Sequence, residues 1–119
     1  MAKRRDPNSA HYIDNKEFLA KITDYRNSRI EAEECGDPKP QVTNYLGECF
    51  VKIANHLAYK SNFVNYTFRD EMILDGIENC LTYIDNFNPE KSNNPFAYFT
   101  QITYYAFIRR IQKEKRHME

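Results

Sequence analysis

Apolar side chains in this 119-residue chain recur three and four residues apart, and this spacing restricts the fold more than any other feature. Such spacing places side chains on one face of an α-helix, whereas a half-buried strand requires strict alternation. Glycine is scarce, and no two strand-like runs flank a tight hairpin signal. The sequence therefore predicts an all-α chain, a small bundle of about four helices in a single domain.

Capping residues and turn signals place the four predicted helices. They are expected over about residues 15–34, 44–60, 70–85 and 95–115. A Pro-rich and Gly-containing linker near residues 35–42 separates the first two helices, and Pro95 suits the first position of the fourth. Residues 1–12 are expected to be a flexible basic tail, which leaves residues 13–119 for the helical domain.

The first three predicted helices each have an apolar face expected in the core. The faces are Phe18, Ile22 and Tyr25 in the first helix, Leu46, Cys49, Phe50, Ile53 and Leu57 in the second, and Ile73, Ile77, Leu81 and Ile84 in the third. Gly76 within the third helix costs about 1 kcal/mol relative to Ala. It therefore indicates close approach of another helix or surface.

Charge is balanced overall but segregated along the chain. Seventeen Lys and Arg residues match seventeen Asp and Glu residues, which excludes long-range steering by net charge. Cations gather near both ends of the chain and acids gather between Asp70 and Glu90. We therefore expect a basic end and an acidic face.

Other patterns exclude several classes of protein. The three cysteines have no zinc-site or disulfide spacing and suit a reducing cytoplasm. No apolar run approaches the roughly 20 residues that span a bilayer, so we expect no membrane contact. Scattered histidines, the lack of a Gly-rich phosphate loop and the lack of a nucleophile motif argue against an enzyme. We expect no metal and no cofactor.

The fourth predicted helix carries more rings than one core stripe can bury. They are Phe96, Tyr98, Phe99, Tyr104, Tyr105 and Phe107. At about 100° per residue these rings spread around the helix. A buried phenol needs a hydrogen-bond partner, so some tyrosines are expected at the surface. The alternative is a central helix whose rings all belong to the core.

Exposed rings followed by cations have the chemistry of single-stranded nucleic-acid binding. Rings stack on unpaired bases, amides and hydroxyls reach base edges, and cations hold phosphates. The polar and basic side chains beside the rings are Thr100, Gln101, Thr103, Arg109 and Arg110. This order, with the rings first and the cations one or two turns later, favours a nucleic-acid interface.

Residues 71–111 resemble region 2 of bacterial sigma factors. The run E-M-I-L-D-G at 71–76 matches the start of a family helix, I-D-N-F at 84–87 resembles its V-D-K-F step, and F-A-Y at 96–98 begins its aromatic helix. A closer resemblance, over nearly the whole chain, is to the small late-transcription sigma factors of T-even-type bacteriophages. It runs from N-K-E-F-L at 15–19 through P-F-A-Y-F-T-Q at 95–101 to R-I-Q-K-E-K at 110–115.

The resemblance implies an RNA polymerase-binding face on the third helix. In the family this acidic face binds the clamp helices, a coiled coil in the largest subunit of the host polymerase core. The matching positions are Glu71, Leu74 and Asp75, and the neighbouring Asp70 and Glu78 extend the face. The alternative is the solvated charged side of an ordinary surface helix.

The resemblance also implies a DNA-binding surface on the fourth helix. In the family this helix binds the non-template strand of an AT-rich promoter element of the minus-ten type and melts it. The matching positions are Phe96, Tyr98, Phe99, Thr100, Gln101, Tyr104 and Tyr105. Arg109, Arg110 and Lys113 are expected to meet backbone phosphates.

Further expectations follow from the same resemblance. A phage late sigma factor acts in the cytoplasm of the infected bacterial host, and a DNA sliding clamp and a late coactivator are implied as partners. Residues 117–119 do not match the hydrophobic end with which the phage factors bind the clamp. No helix-turn-helix for an upstream element is expected, so recognition is confined to one short element. The rival hypothesis is a helical adaptor that binds polymerase or another protein without contacting DNA.

Overall fold

A computed structural model describes residues 12–60 and 63–118, with side chains as far as Arg116. These residues form four α-helices, α1 (Asn15–Cys35), α2 (Asn44–Ala58), α3 (Arg69–Thr82) and α4 (Pro95–Met118), and a short 3-10 helix at Ile84–Asn86. The predicted all-α fold is confirmed. The predicted basic tail lies outside the described residues except for Tyr12. None of the described helices has the length and apolar character needed to cross a membrane.

Local signals set the helix ends close to where the sequence places them. The Asp14 side chain accepts hydrogen bonds from two backbone N–H groups in the first turn of α1. Thr43 caps α2 by accepting from the N–H of Leu46 at 3.3 Å. Pro95 opens α4, where its missing N–H leaves no unmet donor. Gly36 ends α1 at φ 71°, a conformation that glycine adopts without steric cost.

Phenylalanines from three helices meet in the larger of two core clusters. The Phe99 ring of α4 lies 5.8 Å from Phe18 of α1 and 4.8 Å from Phe50 of α2. Phe87, which follows the 3-10 helix, closes the cluster at 5.9 Å from Phe99. The second cluster forms around Phe107, two turns further along α4 towards its C-terminus. The core faces predicted for the first two helices are confirmed, since every residue assigned to them is buried.

The buried face of α3 differs from the predicted one. The row that faces α4 is Met72, Gly76 and Cys80, whereas the predicted Ile73 and Ile77 are half-buried and Leu81 is exposed. The predicted burial of Ile84 is confirmed. A Cβ atom on Gly76 would lie 2.8 Å from the Thr103 methyl group and 2.9 Å from the Phe107 ring. The close approach predicted at Gly76 is therefore confirmed, and at this position α4 leaves no room for a side chain.

Candidate nucleic-acid interface

A groove of about 240 Å³ runs along the outer side of α4. Its lining residues are Tyr83, Tyr98, Ile102, Tyr105 and Arg109. The four that belong to α4 are spaced by four, three and four residues, so they share one helix face. Tyr83 is the residue directly after α3 and brings a ring from a second element. We call this feature the aromatic groove.

The rings of the aromatic groove combine support with exposure. Tyr98 is half-buried, and its ring meets Phe87 at 5.2 Å and Phe99 at 5.0 Å in edge-to-face contacts. Burial raises the pKa of Tyr98 above its ordinary value, which keeps the phenol neutral. Tyr105 is 51% exposed and Tyr83 is 43% exposed. One ring is therefore fixed by the core while two others present their surface to solvent.

Tyr104 extends the exposed ring surface beyond the aromatic groove. It is 40% exposed. Its ring lies 5.9 Å from Tyr105 and 6.1 Å from Phe63, which belongs to the segment between α2 and α3. Gln101 is exposed one turn earlier on α4. These side chains form a second strip of surface next to the groove.

The other predicted DNA contacts on α4 occupy different environments. Phe99 is fully buried. Phe96 packs partly buried against the larger core cluster, and the Thr100 hydroxyl oxygen is turned away from solvent. Lys113 is exposed. Because the Phe99 ring supports its neighbours from inside, it is left out of the DNA-binding surface proposed below.

The two consecutive arginines of α4 have different partners. Arg110 donates to both carboxylate oxygens of Asp75, at 2.5 and 3.0 Å, and to Glu114 at 2.8 Å. These hydrogen bonds raise the pKa of Arg110 above its ordinary value, and those to Asp75 have the larger effect. Arg109 is exposed, and its Nη2 donates to Oδ1 of Asn79 at 2.8 Å. Arg110 therefore ties α3 to α4, while Arg109 lines the aromatic groove.

The predicted polymerase-binding residues also fall into two groups, four that are exposed and one that is held by Arg110. Asp70, Glu71, Leu74 and Glu78 are exposed on α3. Asp75 is half-buried and held by Arg110. Leu74 is 64% exposed and lies on the same side of α3 as these acidic side chains.

A larger groove of about 630 Å³ lies between α2 and α3. Val51, Ile77 and Leu81 line it together with residues from the N-terminal half of α2. Among the described residues that line it, Lys52 is the only cation, and none is an aromatic residue or an arginine. Stacking on bases and phosphate binding both favour the smaller aromatic groove, so the candidate nucleic-acid interface is assigned there.

Tyr83 and Asn79 are the interface residues that the sequence predictions missed. Both come from the α3 side, which was assigned to polymerase binding alone. Tyr83 had a recognisable signal, since it is a ring at the end of a helix whose exposed side chains are otherwise mainly polar. Asn79 had none, because nothing in the sequence pairs it with Arg109.

Comparison with known proteins adds no assignment to this geometry. The chain matches no protein-family model, and a search of curated proteins finds no match. Among the described residues, no group of three or more His, Cys, Asp or Glu side chains could hold a metal ion. The interface is therefore interpreted from its own residues.

Proposed function

We propose that the chain is a sigma-type transcription factor. It binds the host RNA polymerase core through the outer face of α3, and it captures unpaired bases of an AT-rich, minus-ten-type promoter element through the outer side of α4. The observation that carries the proposal is the aromatic groove, where three rings and the cation of Arg109 lie together at the surface. The resemblance to region 2 of sigma factors supports the same assignment.

Stacking energies are large enough for the groove to favour open DNA. Each base that stacks on an aromatic side chain gains about 1–3 kcal/mol. Extruding a base from a duplex costs a few kcal/mol. Contacts with Tyr105 and one neighbouring ring therefore offset the extrusion of a base, and duplex DNA gains nothing comparable because its bases are already stacked. The groove shifts the local equilibrium towards the melted strand.

The polymerase contact is proposed for the exposed face of α3. Leu74 supplies apolar area, and Asp70, Glu71 and Glu78 surround it with negative charge. This combination suits a protein surface with an apolar stripe and flanking cations. Asp75 has a different role in the proposal: it holds Arg110 and so keeps α3 and α4 in register.

Tethering to polymerase is an essential part of the mechanism. The chain has zero formal net charge, so nonspecific attraction to free DNA is weak. Binding to the polymerase core raises the local concentration of the aromatic groove at the promoter. We therefore expect tight binding to promoter DNA only in the complex.

The deciding experiment measures binding of a promoter fork, a duplex with an unpaired AT-rich non-template strand, with and without bacterial core polymerase. The proposal predicts much tighter binding with core, and a loss of that gain in a Leu74→Arg variant. A fully paired duplex of the same sequence is the control. Equal affinity with and without core would contradict the proposal.

The adaptor hypothesis makes a different prediction for the exposed tyrosines. If these rings bind a protein, a Tyr104→Ala/Tyr105→Ala double variant loses its binding to core polymerase. If they bind DNA, the same variant keeps core binding and loses open-complex formation. Co-purification with core polymerase and permanganate footprinting of the melted strand measure the two outcomes separately.

A further inference from the structure

Asn79 holds Arg109 without neutralising it. Nδ2 of Asn79 donates to the backbone carbonyl of Asp75, one helical turn earlier, at 2.8 Å. This bond fixes the orientation of the amide, and its Oδ1 accepts from Nη2 of Arg109 at 2.8 Å. A side-chain amide carries no net charge. The guanidinium of Arg109 is therefore oriented and keeps its full positive charge.

The neighbouring arginine shows what the neutral partner achieves. All three nitrogens of the Arg110 guanidinium donate to Asp75 or Glu114, and two carboxylates against one cation leave that cluster negative. The remaining guanidinium nitrogens of Arg109 donate to none of the described residues. An anion that approaches the aromatic groove thus meets N–H donors and a positive charge at Arg109 that no described carboxylate offsets. Arg110 offers neither, because its donors and its charge are already taken up by Asp75 and Glu114.

We infer that Asn79 is a positioning residue that presents Arg109 to a phosphate of an unpaired DNA strand, while a base of that strand lies against Tyr83 or Tyr105. The inference rests on the proposed function and adds to it a positioning role for Asn79, which acts through Arg109. A guanidinium binds phosphate through two parallel N–H donors, so its orientation matters as much as its charge. A neutral partner such as an amide orients the guanidinium without offsetting its positive charge.

Salt dependence separates charge from orientation. We would measure binding of a short AT-rich single-stranded oligonucleotide to the full chain by fluorescence anisotropy over a range of salt concentrations. Each phosphate held by a cation contributes about 0.7 to the slope of log affinity against log salt for a single strand. Asn79→Asp puts a carboxylate on Arg109, so the slope is expected to fall by about this amount.

Asn79→Ala is the companion variant. It removes the orienting hydrogen bond and leaves the charge of Arg109 intact. Binding is expected to weaken about two- to tenfold with no change in slope, because the Arg109 side chain must then be ordered when the phosphate binds. Arg109→Gln is expected to lower the slope of log affinity against log salt by the same amount as Asn79→Asp. The double variant is expected to show no further decrease, because both substitutions remove the same phosphate contact.

Asn55→Asp is the matched control. Nδ2 of Asn55 donates to the carbonyl of Val51 at 3.0 Å, the same local bond that Asn79 makes. The substitution adds the same charge on α2, and it should leave the slope unchanged because Asn55 does not line the aromatic groove. An equal fall in slope in this variant would mean that overall charge is responsible and would overturn the inference. Thermal melting of each variant checks that the fold is retained.

Two results distinguish the inference from the proposed function. If Asn79→Asp keeps the parental slope while the Tyr104→Ala/Tyr105→Ala variant loses oligonucleotide binding, Arg109 is not presented by Asn79 and the proposed function stands. If neither the tyrosine variant nor Arg109→Gln changes binding, DNA does not lie in the aromatic groove and both are overturned.

Discussion

The inner and outer faces of α4 both carry aromatic residues, but those of the inner face are buried and those of the outer face are exposed. On the inner face, Phe99 and Phe107 are fully buried and touch rings from other elements. On the outer face, Tyr104 and Tyr105 contact each other and leave much of their surface to solvent. One helix thus carries two sets of rings, one buried in the core of the bundle and one that remains largely at the surface.

The difference between the two faces follows from the phenol hydroxyl. Phenylalanine has no polar group to satisfy in the core, whereas each buried tyrosine needs a partner. On the inner face, the buried Thr103 hydroxyl is satisfied: it donates to the carbonyl of Phe99 at 2.8 Å and lies 3.2 Å from the Cys80 sulfur. Function is therefore expected on the tyrosine side and stability on the phenylalanine side.

The largest effect is expected from Phe99→Ala. Removing a fully buried ring leaves a cavity among Phe18, Phe50 and Phe87, and should lower the free energy of unfolding by about 3–5 kcal/mol. Tyr105→Ala is the matched variant on the outer face and should change it by less than about 0.5 kcal/mol. Urea unfolding followed by circular dichroism measures both. Similar losses for the two variants would remove the distinction between the faces.

The next effect concerns DNA binding rather than stability. Tyr105→Ala should weaken binding of the polymerase complex to an unpaired promoter strand by about 1–3 kcal/mol, because one stacking contact is lost. Tyr105→Phe keeps the ring and should bind nearly as well as the parent. A phenylalanine variant as weak as the alanine variant would show that the hydroxyl, not the ring face, makes the contact.

The smallest effect compares two helical glycines. Gly76→Ala places a methyl group against Thr103 and Phe107, and overpacking of this kind lowers the free energy of unfolding by about 1–3 kcal/mol. The higher helix propensity of Ala offsets about 1 kcal/mol of this loss. Gly47→Ala in α2 meets no atom within 4 Å and should stabilise the chain by up to about 1 kcal/mol. Opposite signs in thermal melting are expected. A stabilised Gly76→Ala variant would contradict the close packing of α3 on α4.

Local signals made most of the fold predictable. The Asp14 and Thr43 caps and the proline at the start of α4 each act within a few residues, so the sequence alone places these helix ends. The buried face of α3 was not predictable from periodicity. Ile73 and Ile77 have the right spacing for a core row, but α4 approaches so closely that only the row with Gly76 fits against it.

The candidate interface was predictable only in part. The chemistry of the phenol indicated that rings such as Tyr105 would reach the surface. The roles of Arg109 and Arg110 were not separable, because the two residues are chemically identical and differ only in the α3 side chains they meet. The sequence could mark Tyr83 as an exposed ring, but its place in the aromatic groove depends on how α3 packs on α4, which is a tertiary relation.

The most direct test of the aromatic groove is a nuclear magnetic resonance titration of the full chain with an AT-rich single-stranded oligonucleotide, and in parallel with its duplex. The account predicts that the single strand shifts the amide signals of Tyr83, Tyr98, Ile102, Tyr105 and Arg109 first and most strongly, and that the duplex shifts them far less. Shifts confined to other surfaces, or equal shifts with the single strand and the duplex, would contradict it.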